Sequence, residues 1–178
     1  MSLESNPLNF KKNISIWMTL IRKLDRKLNT STKLIFPEVW NIKYYMWFHD
    51  IEANAFRESL RYSYEEVEKR LHNPNVLFLY IMVNNEPRAL LLGYLLVNGP
   101  EKKFFLDTIA VKNQGKGIGS IILKYVIKWL KKEGYKLICL DTEEIDEKKI
   151  LLRKFYERLG FILKESDIKG NLSMELTL

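Results

Sequence analysis

A single cysteine and two histidines are all that this chain of 178 residues offers of the soft metal-ligating and thiol side chains, and that scarcity removes several kinds of chemistry. With Cys139 alone in the apolar run KLICL, neither a disulfide within the chain nor a cysteine-rich metal site can form. His49 and His72 do not stand at a metal-binding spacing, so no metal is expected. No apolar run approaches the ~18 residues that a membrane-spanning helix needs, and no membrane partner is expected. The opening stretch MSLESNPLNFKK lacks the basic, apolar and small segments of a secretory leader, so the chain reads as cytoplasmic.

What is present suits a globular chain with a full core: 47% of the residues are hydrophobic, and the charged residues are spread along the sequence instead of forming a tail. The excess of 29 basic over 22 acidic residues gives a net charge of +7, which favours anionic partners, whether phosphate-bearing cofactors or nucleic acids. The lysines lie on many segments and no DNA- or RNA-binding motif accompanies them, so a nucleic-acid partner is not expected.

Hydrophobic spacing predicts a helix over 14–28, with Trp17, Leu20, Ile21, Leu24 and Leu28 on one face. A short strand is expected at 34–39, with Pro37 confining it to an edge, then a helix from Asn41, and a third helix opened by the capping box Ser63–Glu66 and stopped near Asn73-Pro74. The runs 76–83, 89–97 and 103–111 read as three strands of an antiparallel meander, joined by the turns NNEP and NGPEK. A long helix ends at Gly134, a strand follows at 135–142, a helix at 148–160, and FILKES with NLSMELTL forms a closing hairpin. The expectation is a single mixed α/β domain over 1–178, in which 1–32 is a possible extra element.

Between the third strand and the long helix stands VKNQGKGIGS, residues 111–120. A glycine-rich strand-to-helix turn is an anion site, because the first helical N–H groups are unpaired and the helix dipole is positive there. A P-loop requires G-x-x-x-x-G-K-[ST], but Lys116 lies between glycines. A dinucleotide fingerprint started at Gly115 meets Ser120 where its third glycine belongs, and the partner motifs of a kinase loop are missing. What remains is Gln114-x-x-Gly117-x-Gly119.

That stretch resembles the acetyl-CoA loop of the GNAT N-acetyltransferase superfamily, and FYERLGF at 155–161 resembles that family's second conserved segment. The resemblance implies the GNAT fold: a twisted, mostly antiparallel sheet of six to seven strands flanked by helices. It makes 33–75 the substrate side and 76–178 the cofactor-binding core. It implies acetyl-CoA as cosubstrate, its pyrophosphate on Gln114, Gly115, Lys116, Gly117, Ile118, Gly119 and Ser120, and its pantetheine arm along Ile109, Ala110 and Val111. Lys149 stands where the family often has a cofactor-contacting asparagine. Tyr156 takes the family's tyrosine position as general acid to the leaving sulfur. Asp141 resembles the carboxylate of ribosomal-protein N-terminal acetyltransferases, with Glu143 or Glu144 as alternative bases and Asp107, His49 and Glu52 as further candidates.

The activity so implied is direct transfer of acetyl to a primary amine, with a peptide N-terminus favoured. A small-molecule amine acetyltransferase and a non-catalytic acyl-CoA-binding regulator are the alternatives. The aromatic run WNIKYYMWFHD, 40–50, is expected to pack in the core, and Cys139 to be a small buried hydrophobe. The amphipathic N-terminal segment would dock on its own domain, pair two copies as a homodimer, or touch a partner.

Overall fold

The computed structural model describes residues 13–37, 39–73, 75–96, 101–146 and 148–178. The first dozen residues, the helix stop at Pro74 and the turn through 98–100 lie outside these.

Helix α1 (Ile14–Leu28) buries Trp17, Leu20 and Leu24 on one stripe. The edge strand β1 is Thr32–Ile35, earlier than the expected 34–39. The Asp25 carboxylate fixes its start, accepting from the Thr32 amide at 2.7 Å and its hydroxyl at 2.6 Å. Pro37 falls beyond its end, where a residue without an N–H cannot extend the ladder. Helix α2 (Ile42–Ala55) is capped by Asn41, whose side chain accepts from the Tyr44 amide. Helix α3 (Tyr64–Leu71) has the expected capping box of Ser63 and Glu66.

Strands β2 (Val76–Val83), β3 (Glu86–Leu96) and β4 (Lys103–Val111) form the antiparallel meander. The β2–β3 turn is Asn84-Asn85, both with positive φ (52° and 64°), the conformation a two-residue hairpin requires. Helix α4 (Ile118–Lys132) leads to β5 (Leu137–Glu143), α5 (Leu152–Glu157), β6 (Ile162–Ser166) and β7 (Asn171–Thr177).

Helix α5 is shorter than the apolar pattern of 148–160 suggests. The Asp146 carboxylate accepts from the amides of Lys148 and Ile150, and Lys149 has φ 62°, so this stretch turns back on itself before the helix begins.

The strands make one seven-stranded sheet in the order β1-β2-β3-β4-β5-β7-β6. Every neighbouring pair is antiparallel except β4 and β5. On one face Trp17, Leu20 and Leu24 of α1, Ile122, Val126 and Trp129 of α4, and Tyr156 of α5 share a core with Leu77, Leu79 and Ile81 of β2. Trp17 meets Trp129 at 5.6 Å between ring centroids, so α1 docks on the chain's own sheet layer. On the other face Phe48, Ile51 and Ala55 of α2 and Val67 of α3 cover Phe78, Tyr80 and Met82. Alternate residues of β2 feed the two cores, which explains why its sequence is continuously apolar. The aromatic run of α2 belongs to this second core: Tyr44 stacks on Tyr80, whose hydroxyl donates to the Tyr44 carbonyl at 2.7 Å.

Candidate active site

The glycine turn lies between β4 and α4. Gly115 and Gly117 have φ of 87° and 74°, left-handed values that side chains with a Cβ resist. Gly117 is also the N-cap of α4 and has no side chain to occupy the first amides of that helix. A Cβ on either glycine would meet nothing within 4 Å, so the turn opens onto free space. Beside it the Gln114 Oε1 is buried without a hydrogen-bond partner among the described residues. Such an atom costs stability unless a ligand satisfies it.

Next to the turn the sheet opens. β4 and β5 pair only at Lys103–Leu137, Phe104–Ile138 and Phe105–Cys139, and then separate. At the same place β4 bulges: Leu92 of β3 faces Thr108, Gly93 faces Leu106, and Asp107 has no opposite residue. The gap is a cavity of about 920 Å³ that runs from the glycine turn to the α2–α3 connection. Ile109 and Val111 line it, whereas Ala110 points into the core under α2. Gln114 to Ser120 line it without interruption, and Asp141, Thr142 and Glu143 form its far wall.

Tyr156 projects from α5 into the wall of this cavity and is 8% exposed. Phe155 and Phe161 contact its ring edge-to-face at 5.0 and 5.6 Å. Burial pushes its phenol well above the usual tyrosine range, so it keeps its proton. The remaining Cys139 is half-buried, its thiol also pushed up by burial, and it donates to the Phe104 carbonyl, which is not the setting of a nucleophile.

The acidic candidates occupy different surroundings. Asp141 is exposed in the cavity wall, and its carboxylate has no hydrogen bond or ion pair among the described residues. Glu143 lines the cavity and binds the Arg57 guanidinium with both oxygens, which ties the α2–α3 connection to β5. Glu144 pairs with Arg153 at 3.7 Å and, like Lys149, is not part of the lining. His49 lies on α2 against Tyr45, also away from the lining.

Asp107 is in the lining, with its side chain 8% exposed, and accepts from the Tyr62 hydroxyl at 3.1 Å and from Arg70 Nε at 2.9 Å. Burial raises its pKa, against the opposing pull of Arg70. Glu52 is fully buried, and burial brings its carboxyl to about 7. Tyr62, which is in the lining, and Arg70, which binds Asp107 from behind it, were not anticipated from the sequence. Arg70 follows Glu66 by one turn on α3, but nothing in that spacing reveals that α3 delivers it to the bulge of β4.

The family described as acetyltransferase (GNAT) matches residues 43–161, about two thirds of the chain. The chain belongs to the GNAT acetyltransferase family. No curated protein matches it in sequence. Among solved structures, the fold is similar to that of the ribosomal-protein-S18-alanine N-acetyltransferase from Escherichia coli (TM-score 0.64, 18% identity, 82% of this chain and 93% of that one). It is similar to PaiA N-acetyltransferase from Thermoplasma acidophilum in complex with coenzyme A (0.62, 18%, 83% and 99%). It is also similar to Naa50 from Arabidopsis thaliana in complex with the bisubstrate analogue CoA-Ac-MVNAL (0.63, 17%, 83% and 99%). At these identities the likeness is one of fold.

Proposed function

We propose that this GNAT chain moves the acetyl group of acetyl-CoA to a primary amine, with a peptide N-terminus as the favoured acceptor. The observation that carries the reading is the continuity of the glycine turn with the β4–β5 gap. An anion site and a slot between strands form one cavity, with a protonated tyrosine in its wall.

The residues present fit an acyl-CoA. Open space over Gly115 and Gly117 lets a pyrophosphate approach the backbone amides at the start of α4, where the helix dipole favours it. Lys116, exposed beside them, adds positive charge. The buried Gln114 Oε1 has an acceptor to offer, and Ile109 and Val111 give the slot an apolar wall for a pantetheine arm. Bound there, acetyl-CoA supplies an activated thioester carbonyl and a thiol leaving group. Beyond Phe105 the edge of β4 that faces β5 has no strand partner, and it offers N–H groups where negative charge develops on the carbonyl oxygen.

Tyr156, held protonated by burial, is the group that gives a proton to the departing sulfur. Asp141, its carboxylate without a partner among the described residues and reached by solvent, is the group assigned to take the proton from the amine. An α-amine with a pKa of about 8 needs less help from a base than a lysine side chain at about 10.4, which supports a peptide N-terminus. The similar structures named as a ribosomal-protein-S18-alanine N-acetyltransferase and as a complex with the bisubstrate analogue CoA-Ac-MVNAL support the same choice.

Thiol release from acetyl-CoA is the test, measured over a panel of peptides with free N-terminal Ala, Ser, Gly and Met, lysine and spermidine. Acceptor-dependent release with an N-terminal peptide leading the panel supports the proposal. Release led by spermidine moves the acceptor to small amines, and folded protein that binds neither acetyl-CoA nor CoA sinks the transferase reading.

A further inference from the structure

Tyr62 is fastened more thoroughly than a residue in a connection between helices needs to be. Its backbone amide donates to Glu52 Oε2 at 3.0 Å, and Glu52 is itself fully buried. Its hydroxyl donates to Asp107 Oδ1 at 3.1 Å, and the Arg70 guanidinium lies 3.9 Å over its ring. Arg70 closes the circuit by donating to the other oxygen of Asp107 at 2.9 Å. Three elements therefore converge on one tyrosine: α2 through Glu52 on its backbone amide, and α3 through Arg70 and the bulge of β4 through Asp107 on its side chain.

The destination of this network is the cavity. Tyr62 and Asp107 both line it, at the end away from the glycine turn, where β4 leaves β5. Its proton is committed to Asp107 and the Arg70 guanidinium also donates to the phenol oxygen, so one lone pair of Tyr62 remains for an incoming donor. Donation to a carboxylate also polarises the O–H bond and makes the oxygen a better acceptor. Burial pushes the phenol up to about 12, so the hydroxyl stays neutral and offers that lone pair throughout the working pH range. An attacking amine has N–H groups to spare: one for the base, and another to be held.

We propose that Tyr62 is the acceptor-binding residue of the site, its hydroxyl oxygen accepting a hydrogen bond from the reacting amine, with Asp107, Arg70 and Glu52 as the residues that position it. The inference rests on the N-acetyltransferase reading and deepens it: the acceptor nitrogen sits between Tyr62 and the thioester, and its remaining N–H is left for Asp141. Glu52 fastens the backbone, Asp107 aims the hydroxyl, and Arg70 keeps Asp107 charged while packing on the ring. The arrangement selects a nitrogen with at least two hydrogens, which is a primary amine.

The test compares wild type, Tyr62→Phe, Asp107→Asn and the double variant, using the acceptor of the panel above that wild type turns over fastest. Tyr62→Phe keeps the ring, its contact with Arg70 and its backbone hydrogen bond. It is expected to raise the acceptor KM about tenfold, as for loss of a hydrogen bond to a charged or polarised group. The KM for acetyl-CoA, the melting temperature and the pH midpoint of kcat/KM are expected to stay as in wild type. Asp107→Asn is expected to show part of the same rise in acceptor KM, and the double variant to be no worse than Tyr62→Phe alone.

A Tyr62→Phe enzyme whose acceptor KM stays within twofold of wild type overturns the proposal. So does one that loses thermal stability and acetyl-CoA affinity along with the acceptor, because the hydroxyl is then a structural tie. A wild type that binds acetyl-CoA but acetylates no acceptor overturns the transferase reading and this assignment with it, whereas an active wild type isolates the fate of Tyr62.

Discussion

Phe105 on β4 and Cys139 on β5 are the last residues at which these parallel strands pair. Just beyond them, Asp107 bulges from β4 and the strands part. The bulge has a condition on the neighbouring strand. A Cβ on Gly93 would lie 2.4 Å from Phe104 Cζ and 2.6 Å from the Phe105 carbonyl oxygen, so β3 can approach β4 only with glycine there. The bulge also switches the faces of β4: Phe104 and Leu106 precede it on the α4 side, and Ile109 and Val111 follow on that same side. Gly93→Ala is therefore expected to destabilise the fold by about 1–3 kcal/mol through overpacking. Urea denaturation measures this, and a variant as stable as wild type would show that the bulge relaxes without cost.

Gly117 combines a left-handed backbone with open space above it, so its substitutions separate strain from blockage. Gly117→Ala is expected to cost about 1–2 kcal/mol of stability through the positive φ. Gly117→Trp adds a side chain over the amides of α4, and is expected to abolish saturable acetyl-CoA binding in a calorimetric titration while ATP gives no heat with either protein. Full acetyl-CoA affinity in Gly117→Trp would place the pyrophosphate elsewhere.

Much of this was legible in the sequence because it is local. The glycine turn, the Ser63–Glu66 cap and the continuous apolar run of β2 each depend on residues within one or two turns of chain. The misjudged boundaries were set by side chains acting at a distance. Asp25 reaches from α1 to start β1, and Asp146 draws Lys148 and Ile150 into a turn that delays α5. The acceptor end of the cavity was the least legible part. Asp107 stood only among further candidates, because its partners Tyr62 and Arg70 arrive through the packing of α2 and α3 on the sheet, and no periodicity encodes that.

Tyr156 shares the apolar core with Phe161 and Leu140 and also borders the cavity, so its two roles can be separated. Tyr156→Phe preserves the ring contacts and removes the proton. It is expected to lower kcat about 10²-fold, the usual contribution of a general acid, with little change in the KM for acetyl-CoA. Because burial raises the phenol pKa, the alkaline limb of the wild-type kcat profile should lie above the ordinary tyrosine range. Stopped assays with the acceptor saturating would reveal a contrary result, an unchanged kcat, which would leave the tyrosine to packing alone.

Glu52 gives the fold a pH dependence whose sign follows from its burial. Its carboxyl is raised from 4.5 to about 7, chiefly by desolvation, while the Tyr62 amide and Arg61 oppose the rise. The folded protein therefore holds this proton more tightly than the unfolded chain does. The stability that the protonated carboxyl contributes is complete below pH 4.5 and is lost as pH rises through about 7. At about 1.4 kcal/mol per pKa unit, the loss across that window is on the order of 3 kcal/mol. Glu52→Gln keeps an oxygen for the Tyr62 amide and cannot ionise. It should match wild type near pH 4.5, exceed it by up to about that amount at pH 8, and lack its fall between the two. Denaturation series at pH 4.5, 6 and 8 decide the matter. Parallel curves for the two proteins would mean that Glu52 is already ionised in the fold at neutral pH, held by Arg61 and Arg70.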